Sequence, residues 1–322
     1  GRRQTIAMNN SYSWQRLANL VRSISRPEYF FRPQQYPIRS RQRGHAPGQA
    51  LVSLPWGLQL SLCPREFMHS QIWLHGVYDL RVTETLWRLL DTDELAVDVG
   101  ANIGYMTSLM AVRAGPTGHV IGCEPLPQNW AQLNQNVLRW QRENGLTNVV
   151  IHELALAERN GCARFKAPLH PGNLGLGSLA DCPDQVGFVA PGQAPNEIEV
   201  RVGRLDDLIV GKSTVGLLKI DVEGQELRVL RGAETLLGEG RIRDIVFEEH
   251  RPYPTPVTEF LESFGYRIYS LVRHFRGLAL CDAGTPRSVE ALDEPSFLAT
   301  RDPARAEARF RKVGWRALNN RQ

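Results

Sequence analysis

The sequence predicts a doubly wound, mostly parallel α/β sheet with helices on both faces, preceded by an N-terminal extension. Three observations support this prediction. Short apolar stretches alternate with amphipathic helical stretches from residue 95 to residue 300, which is typical of a parallel sheet, here of about seven strands. A glycine-rich turn joins the first strand to the first helix, and acidic residues follow several strands. Because right-handed crossovers align the carboxyl ends of parallel strands, a ligand is expected at that edge.

The chain of 322 residues divides into three predicted regions. Residues 1–50 are an extension that carries nine arginines and a single acid, Glu28. Such a basic arm is either a solvated tail or a surface for phosphate, a membrane or an acidic partner. Residues 51–300 form one large domain, with a hairpin and helix cap at 51–94 and a core at 95–300. Residues 301–322 are predicted to form a helical tail.

Composition narrows the class of protein. The chain is 42% hydrophobic and 22% charged, as in ordinary globular proteins, and it has no apolar run long enough for a transmembrane helix. Its five widely spaced cysteines lack a Cys-x-x-Cys pair, which argues against disulfides or zinc and predicts a cytoplasmic protein. No nucleic-acid-binding motif is present, so nucleic acid is not an expected partner. The sequence carries no signal for the oligomeric state.

The elements are predicted in order along the chain. Residues 51–54 and 58–62 predict a hairpin, and residues 83–90 predict a helix. The core then alternates apolar strands with helices. The strands are Leu95–Val99, 120–123, 149–153, Val215–Ile220 and 244–247, and the helices are Tyr105–Ala114, 129–143, 225–237 and 255–264. An edge strand is predicted at 197–201, and strands at 266–271 and Ser296–Thr300 complete the sheet.

The turn after the first core strand carries the strongest functional signal. Asp98 lies at the end of this strand, and Gly100 and Gly104 allow a tight turn and a close approach by a ligand. The Asp98 carboxylate is placed to meet a cation or an ammonium group, directly or through water. Glu124 follows the second strand, where an acid can accept both hydroxyls of a ribose. Position and chemistry together predict a nucleoside ligand.

Three other interpretations compete with this one. An NAD-dependent oxidoreductase would need Gly-x-Gly-x-x-Gly to hold a pyrophosphate, but this turn lacks that spacing and Asp98 would repel phosphate. The site suits a nucleoside that bears an ammonium and a sulfonium better. A catalytically silent binding protein on the same fold is a second alternative, although the intact set of acids and glycines argues against it. In the third, Asp98 only caps the helix and the glycines only make the turn.

These motifs resemble those of the FkbM-type methyltransferases over roughly residues 75–275. The resemblance rests on five segments in matching order. They are 98–105 (Asp-Val-Gly-Ala-Asn-Ile-Gly-Tyr), Glu124 with Pro125, Leu205–Leu208 (Leu-Asp-Asp-Leu), 218–226 (Leu-Lys-Ile-Asp-Val-Glu-Gly-Gln-Glu) and 230–233 (Leu-Arg-Gly-Ala). The resemblance implies a class I Rossmann-like methyltransferase fold, S-adenosylmethionine as the methyl donor, and O-methylation of sugars or polyketide-type hydroxyls.

The resemblance also implies roles for individual residues. The turn after the first strand would cradle the methionine part of the cofactor through Asp98, Gly100, Asn102 and Gly104. Glu124 would hold the ribose. Glu153 and Ala155 would lie near the adenine ring, where a backbone group could serve equally well.

Two polar clusters that follow later strands are candidates to activate the acceptor. Strand alternation places Asp221 and Glu223 on one face with Lys219, and it pairs Glu248 with His250. A neutral hydroxyl is a poor nucleophile, so a base is expected near this edge of the sheet. His250 is the favoured general base, since an imidazole accepts a proton near neutral pH. Glu248 would orient it or contact the acceptor, and Asp221 would face the methyl-transfer centre.

Each of these assignments has an alternative. His250 is otherwise a hydrogen-bonded structural histidine, and Glu223 simply begins the next helix. Asp221 and Glu248 could also bind a divalent cation. A required metal is not predicted, because the sequence shows no dense cluster of ligands.

Other features bear on the acceptor. The glycine-rich interval 169–195, with Gly-Asn-Leu-Gly-Leu-Gly-Ser at 172–178, is interpreted either as a flexible loop or as a lid. Tyr78 and Asp79 either touch cofactor or substrate or form an entry turn. Residues 221–224 lack the Asn/Asp-Pro-Pro-aromatic element of enzymes that methylate amino groups of bases, which favours oxygen. The expected acceptor is a glycan or another small molecule.

Overall fold

The structure is a computed structural model that describes residues 35–42, 45–167, 178–179, 196–274, 277–285 and 296–318. The helices are α1 (Gln35–Arg41), α2 (Phe67–His75), α3 (Leu80–Leu89), α4 (Tyr105–Ala114), α5 (Pro127–Asn144), α6 (Leu205–Leu208), α7 (Glu226–Arg231), α8 (Glu234–Gly238), α9 (Pro256–Ser263) and α10 (Pro303–Phe310). None of these helices is long and apolar enough to cross a membrane.

The strands are β1 (Ala50–Ser53), β2 (Gln59–Leu62), β3 (Leu95–Val99), β4 (His119–Cys123), β5 (Val149–His152), β6 (Ala155–Leu156), β7 (Gly161–Ala167), β8 (Ser178–Leu179), β9 (Asn196–Gly203), β10 (Val215–Ile220), β11 (Ile242–Glu248), β12 (Arg267–His274), β13 (Gly277–Asp282) and β14 (Ser296–Thr300). The predictions for residues 1–34 and for most of the interval 169–195 lie outside the described residues.

The main sheet confirms the predicted fold class. Its eight described strands follow the order β13–β12–β14–β11–β10–β3–β4–β5. The five strands from β11 to β5 pair in parallel. Strand β14 runs antiparallel between β11 and β12, and β13 is antiparallel to β12. The chain moves outward from β3 to β5 and then restarts on the other side of β3 with β10, so the sheet has a switch point between β3 and β10, where such folds bind ligands.

Helices cover both faces of the main sheet. On β3, Ala96 belongs to one apolar cluster and Val97 to the other, and on β10 the same holds for Leu217 and Leu218. The first cluster includes residues of α3, α4 and α5, and the second includes residues of α7, α8 and α9. Because neighbouring side chains of a strand point to opposite faces, the two clusters lie on opposite sides of the sheet.

The single helix predicted at 225–237 is wrong, since the structure has two short helices there, α7 and α8. The break occurs at Gly232, where an added Cβ atom would lie 2.1 Å from the Ala157 carbonyl oxygen. The Asp206 carboxylate accepts the backbone N–H groups of Thr235 and Leu236 at 3.1 and 3.0 Å, and it caps the second helix. A close backbone contact and a remote cap, which periodicity does not report, therefore set this boundary.

A second sheet of the order β6–β9–β7–β8 lies between β5 and β10 in the sequence. Residues 197–201, predicted as an edge strand, form part of β9 inside this sheet. Their burial alternates, because Glu197 and Glu199 are exposed whereas Val200 is buried against Phe165. A strand with one polar face suits a sheet that is covered on one side, so it does not join the doubly covered main sheet.

The residues after 300 pack against α3 through a buried ion pair. The Arg88 guanidinium lies 2.6 Å from the Glu84 carboxylate, and both side chains are buried. Glu84 also accepts the backbone N–H groups of Arg316 and Ala317. Burial raises the pKa of Glu84, and these hydrogen bonds oppose the rise. Arg88 donates in turn to three carbonyl oxygens, those of Arg309, Lys312 and Gly314.

Candidate active site

A cavity of about 310 Å³ lies at the carboxyl ends of β3, β4, β10 and β11, on both sides of the switch point. Each of these strands contributes a residue at or just after its end. These residues are Gly100, Glu124, Asp221 and Glu248. Phe67 of α2 lines the cavity, as do Phe165 and Leu179 of the second sheet. The sheet edge that the sequence predicted as a ligand site therefore carries a cavity of a size suited to a small ligand.

The turn from β3 into α4 borders the cavity through Gly100 and Asn102. Gly100 has φ +77°, and a Cβ atom there would lie 2.0 Å from the Asp221 carbonyl oxygen. Gly104 is not among the described residues that line the cavity. An added Cβ atom at Gly104 would lie 2.7 Å from a methyl carbon of Leu133 in α5. This close contact and a φ of +94° both favour glycine at position 104.

Asp98 is not one of the described residues that line the cavity. Its carboxylate is fully buried, accepts a 2.6 Å hydrogen bond from the Thr107 hydroxyl, and lies 3.2 Å from the Lys219 ammonium. Lys219 lines the cavity and also contacts Asp221 at 3.3 Å. Asp98 thus meets one cation within the protein, the Lys219 side chain of the neighbouring strand β10.

Lys219 joins the two strands at the switch point. Its ammonium donates to the Gly100 carbonyl oxygen at 3.1 Å, besides its contacts with Asp98 and Asp221. Burial alone would lower the pKa of Lys219, but the two carboxylates outweigh that effect and raise it above its usual value. Lys219 therefore remains charged and fixes the floor of the cavity.

Glu124 lies where a ribose-binding acid was predicted. Its side chain is buried and lines the cavity, and its two oxygens accept the backbone N–H groups of Asn102 at 2.8 Å and Leu126 at 3.0 Å. Burial raises the pKa of Glu124 to about 7, although these hydrogen bonds pull it down. The Asn129 side chain also hydrogen-bonds to this carboxylate. A carboxylate has about four acceptor positions, so Glu124 keeps one for a hydroxyl of a ligand.

We expect the affinity for S-adenosylhomocysteine to fall as the pH drops below about 7, because the protonated carboxyl of Glu124 loses acceptor capacity. Calorimetric titration should show a loss approaching tenfold for each pH unit well below the pKa. The control is Glu124→Gln, which should bind with a flat pH profile. Residual pH dependence in that variant would point to another group such as Glu226, whose pKa burial also raises to about 7. Equal wild-type affinity at about pH 6 and pH 7 would contradict the expectation.

The stretch after β5 contributes apolar lining. Leu154, Ala155 and Leu156 line the cavity together with Leu126. Glu153 is exposed and is not one of the described lining residues. Of the two residues expected near adenine, the structure therefore brings Ala155 to the cavity and points to apolar contact and backbone groups there instead of the acid.

The acidic residues after β10 and β11 converge on the cavity. Asp221, Glu223 and Glu248 all line it. The alternation predicted for Lys219, Asp221 and Glu223 does not continue, because β10 ends at Ile220 and Glu223 takes a positive φ of 51°. As a result the apolar Ile220 and Val222 also face the cavity.

His250 pairs with Glu248 but lies further out. Its Nε2 atom is 3.4 Å from a Glu248 oxygen, as the predicted pairing requires. The His250 side chain is 59% exposed, against 21% for Glu248, and His250 is outside the described lining. Glu249 is turned away and is buried against Arg251. The structure thus places the carboxylate, and not the imidazole, in direct contact with the cavity.

The segment between α2 and α3 also reaches the cavity. Tyr78 and Asp79 both line the cavity, and the Asp79 carboxylate caps α3 by accepting the Val82 N–H at 3.2 Å. The Tyr105 hydroxyl accepts the Tyr78 N–H at 3.0 Å. Asp79 therefore forms the turn that begins α3 and also lines the cavity, which agrees with both predictions for it.

Several lining residues were not singled out by the sequence. They are Gln225, Phe67, Phe165, Leu179 and Ser296. Within the described ranges, no group of three or more His, Cys, Asp or Glu side chains is arranged to hold a metal ion. The predicted loop at 172–178 lies outside the described residues except for Ser178, the first residue of β8.

Comparison with known proteins identifies the family. The model of the methyltransferase FkbM domain matches residues 98–268. The 31-O-demethyl-FK506 methyltransferase FkbM of Streptomyces tacrolimicus is 35% identical over 201 residues, which cover 58% of this chain and 74% of that protein. Methyltransferase 1 of Beauveria bassiana is 29% identical over 180 residues, or 52% of this chain and 67% of the relative.

Among solved structures, a methyltransferase FkbM from Methylobacillus flagellatus KT superposes with a TM-score of 0.41 and 19% identity, covering 65% of this chain and 44% of that one. This superposition is too weak to inform the site. The family model covers more than half of this chain, and the relative from Streptomyces tacrolimicus is 35% identical over 74% of its own length. The chain therefore belongs to the FkbM family of S-adenosylmethionine-dependent methyltransferases.

Proposed function

We propose that this protein transfers the methyl group of S-adenosylmethionine to a hydroxyl oxygen of a small-molecule or glycan acceptor. The observation that carries the proposal is a single cavity with Glu124 at one strand end and the carboxylates of Asp221 and Glu248 across the switch point. The first acid suits a ribose, and the other two suit an acceptor that must lose a proton. The relative from Streptomyces tacrolimicus is named for action on an oxygen, which supports the choice of atom.

The residues of the cavity fit the cofactor. Glu124 would accept a hydrogen bond from a ribose hydroxyl, because its anchored carboxylate keeps an acceptor position. Leu126 and the stretch 154–156 offer an apolar slot for adenine. Gly100 and Asn102 would border the methionine part. When bound, S-adenosylmethionine supplies a methyl group on a positively charged sulfonium, and the surrounding carboxylates favour that charge.

The proton of the acceptor hydroxyl needs a destination. Transfer of the methyl group from sulfur to the acceptor oxygen would leave S-adenosylhomocysteine and release the hydroxyl proton, and we assign Glu248 as the first receiver of that proton because it lines the cavity. His250 is 3.4 Å away and more exposed, so it can pass the proton to solvent. Asp221 faces the methyl-transfer centre in this proposal. The base predicted from the sequence, His250, thus becomes the second member of a relay.

Glu248→Gln should lower kcat about 100-fold, and His250→Ala about tenfold, because removing a general base typically costs at least two orders of magnitude. Both variants should bind S-adenosylhomocysteine like the wild type. The rates are measured with tritium-labelled methyl donor and whichever acceptor is methylated. If His250→Ala loses as much as Glu248→Gln, the imidazole is the first proton acceptor and the relay order is wrong.

The function itself is tested in two stages. Calorimetry should first show that the purified protein binds S-adenosylhomocysteine. The protein is then incubated with labelled S-adenosylmethionine and a panel of sugars, macrolides and other hydroxylated compounds, and labelled products are analysed by mass spectrometry and NMR. A methyl group on oxygen supports the proposal, and a methyl group on nitrogen or carbon refutes the choice of target. A cytoplasmic location stays a prediction.

A further inference from the structure

Gln225 lies inside the 218–226 motif, but neither the family resemblance nor the mechanism above gives it a role. Its side chain is only 3% exposed and borders the cavity. The amide nitrogen Nε2 has no hydrogen-bond partner among the described residues. A buried donor without an acceptor is costly, so proteins keep such groups mainly where a ligand or water completes them.

The orientation of this amide is fixed by its neighbour. The Gln225 oxygen Oε1 accepts a 3.1 Å hydrogen bond from the Arg228 guanidinium. Arg228 is itself held by two hydrogen bonds to the Glu158 carboxylate, at 2.7 and 2.9 Å. A guanidinium can only donate, so the oxygen of the amide must face Arg228 and the nitrogen must face away from it. The Glu158–Arg228 pair therefore presents a donor, and not an acceptor, to the cavity.

The location of Gln225 points to the adenine end of the cavity. Its tether, Glu158, follows β6, whose residues line that end. Leu154 donates its backbone N–H to the Glu124 carbonyl oxygen at 3.2 Å, which joins this stretch to the ribose-binding acid. Val229 and Leu230 of α7, the helix that follows Gln225, belong to one apolar cluster with Leu154.

We propose that Gln225 donates a hydrogen bond from Nε2 to a ring nitrogen of the adenine of the cofactor, and so helps the site to select and orient a purine. This inference rests on the proposed use of S-adenosylmethionine. A purine offers several unprotonated ring nitrogens, which are the complement of a buried neutral donor. The attacking hydroxyl of the acceptor is a poor match, because a donor on its oxygen would draw on the lone pair needed for attack.

The decisive variant is Gln225→Met, which keeps the length of the side chain and removes the donor. We expect it to bind S-adenosylhomocysteine about tenfold more weakly by calorimetry, which corresponds to about 1.4 kcal/mol. Wild type and variant are also titrated with three analogues, each with one unprotonated ring nitrogen replaced by C–H. For the analogue that lacks the contacted nitrogen, the two proteins should bind equally. The melting temperature should change little, since the substitution removes an unpartnered donor together with the acceptor of one Arg228 hydrogen bond, and Arg228 keeps its two bonds to Glu158.

A matched control is Gln132→Met. In α5 the Gln132 oxygen also accepts a hydrogen bond, from Gln49 at 3.5 Å, and its Nε2 is likewise without a partner among the described residues. Gln132 lies outside the lining of the cavity in the part of the chain that is described, so its substitution should leave affinity unchanged. A second variant, Gln225→Glu, replaces the donor by an acceptor and should bind more weakly than Gln225→Met.

The outcomes separate this inference from the function on which it rests. If the wild type does not bind S-adenosylhomocysteine, the cofactor assignment fails and the inference falls with it. If the wild type binds and Gln225→Met binds equally well, the cofactor assignment stands and the inference is wrong. The inference is also wrong if the variant weakens the binding of S-adenosylhomocysteine and of all three analogues to the same extent.

Discussion

Gly100→Ala is expected to lower the free energy of unfolding by about 4 kcal/mol, near the upper end of single-residue effects. The added Cβ atom would lie 2.0 Å from the carbonyl oxygen of Asp221, a distance that no side-chain movement relieves. Relief requires the ends of β3 and β10 to separate, which would break the hydrogen bond from Lys219 to the Gly100 carbonyl oxygen. Urea unfolding followed by circular dichroism measures the loss.

The matched control is Gly57→Ala, in the turn between β1 and β2. Gly57 also has a positive φ, of 91°, but an added Cβ atom there meets nothing within 4 Å. Its substitution should cost only the backbone strain of about 1 kcal/mol. If the two variants are destabilised equally, backbone strain explains both, and the close approach of β3 and β10 has no energetic role.

Glu124→Ala is expected to weaken S-adenosylhomocysteine binding roughly 1000-fold, or about 4 kcal/mol. The variant loses the hydrogen bond between the carboxylate and a ribose hydroxyl, and a bond to a charged group contributes about 1.5–3 kcal/mol. It also leaves the backbone N–H groups of Asn102 and Leu126 without the acceptor that positions them. Isothermal titration calorimetry measures the affinity, with melting curves as a check on folding.

Two further variants sharpen this result. Glu124→Gln keeps one acceptor oxygen and should lose about half of the binding free energy that alanine loses. Glu153→Gln makes the same change at an exposed acid outside the described lining, so it should bind like the wild type. A loss below about tenfold in Glu124→Ala, in a protein that still melts normally, would exclude Glu124 as the ribose-binding acid.

The main sheet could be predicted because its strands carry a strong local signal. Leu95–Val99 and Val215–Ile220 have the predicted bounds, since each is a short buried run that ends at a glycine turn or an acid. Helix α2 was missed because it buries residues as different as His69, Ser70 and Trp73, which leaves no polar face to set a period. Strand β6 was missed because its two residues are too few to show the alternation of apolar and polar side chains that identifies a strand.

The candidate site was predictable where one motif supplied both position and chemistry. The position of Glu124 could be predicted because it is an acid that directly follows a recognisable strand. The partner of Asp98 did not follow from local sequence, because Lys219 reaches it across two parallel strands that are distant in the chain. The orientation of the Gln225 amide could not be predicted from the sequence either, since it depends on contacts with Arg228 and, through it, with Glu158. Sequence motifs report which side chains are near a ligand, and tertiary contacts decide which of their atoms face it.

The clamp of Glu84 on the residues after α10 has a consequence for synthesis on the ribosome. Glu84 and Arg316 are 232 positions apart, yet the carboxylate depends on the Arg316 and Ala317 N–H groups. A growing chain that has already made β3 and β4 still lacks these donors, and burying Glu84 without them is unfavourable. The pairing of α3 with residues 303–317 must therefore follow the synthesis of those residues, which places the docking of α10 after the formation of β3 and β4.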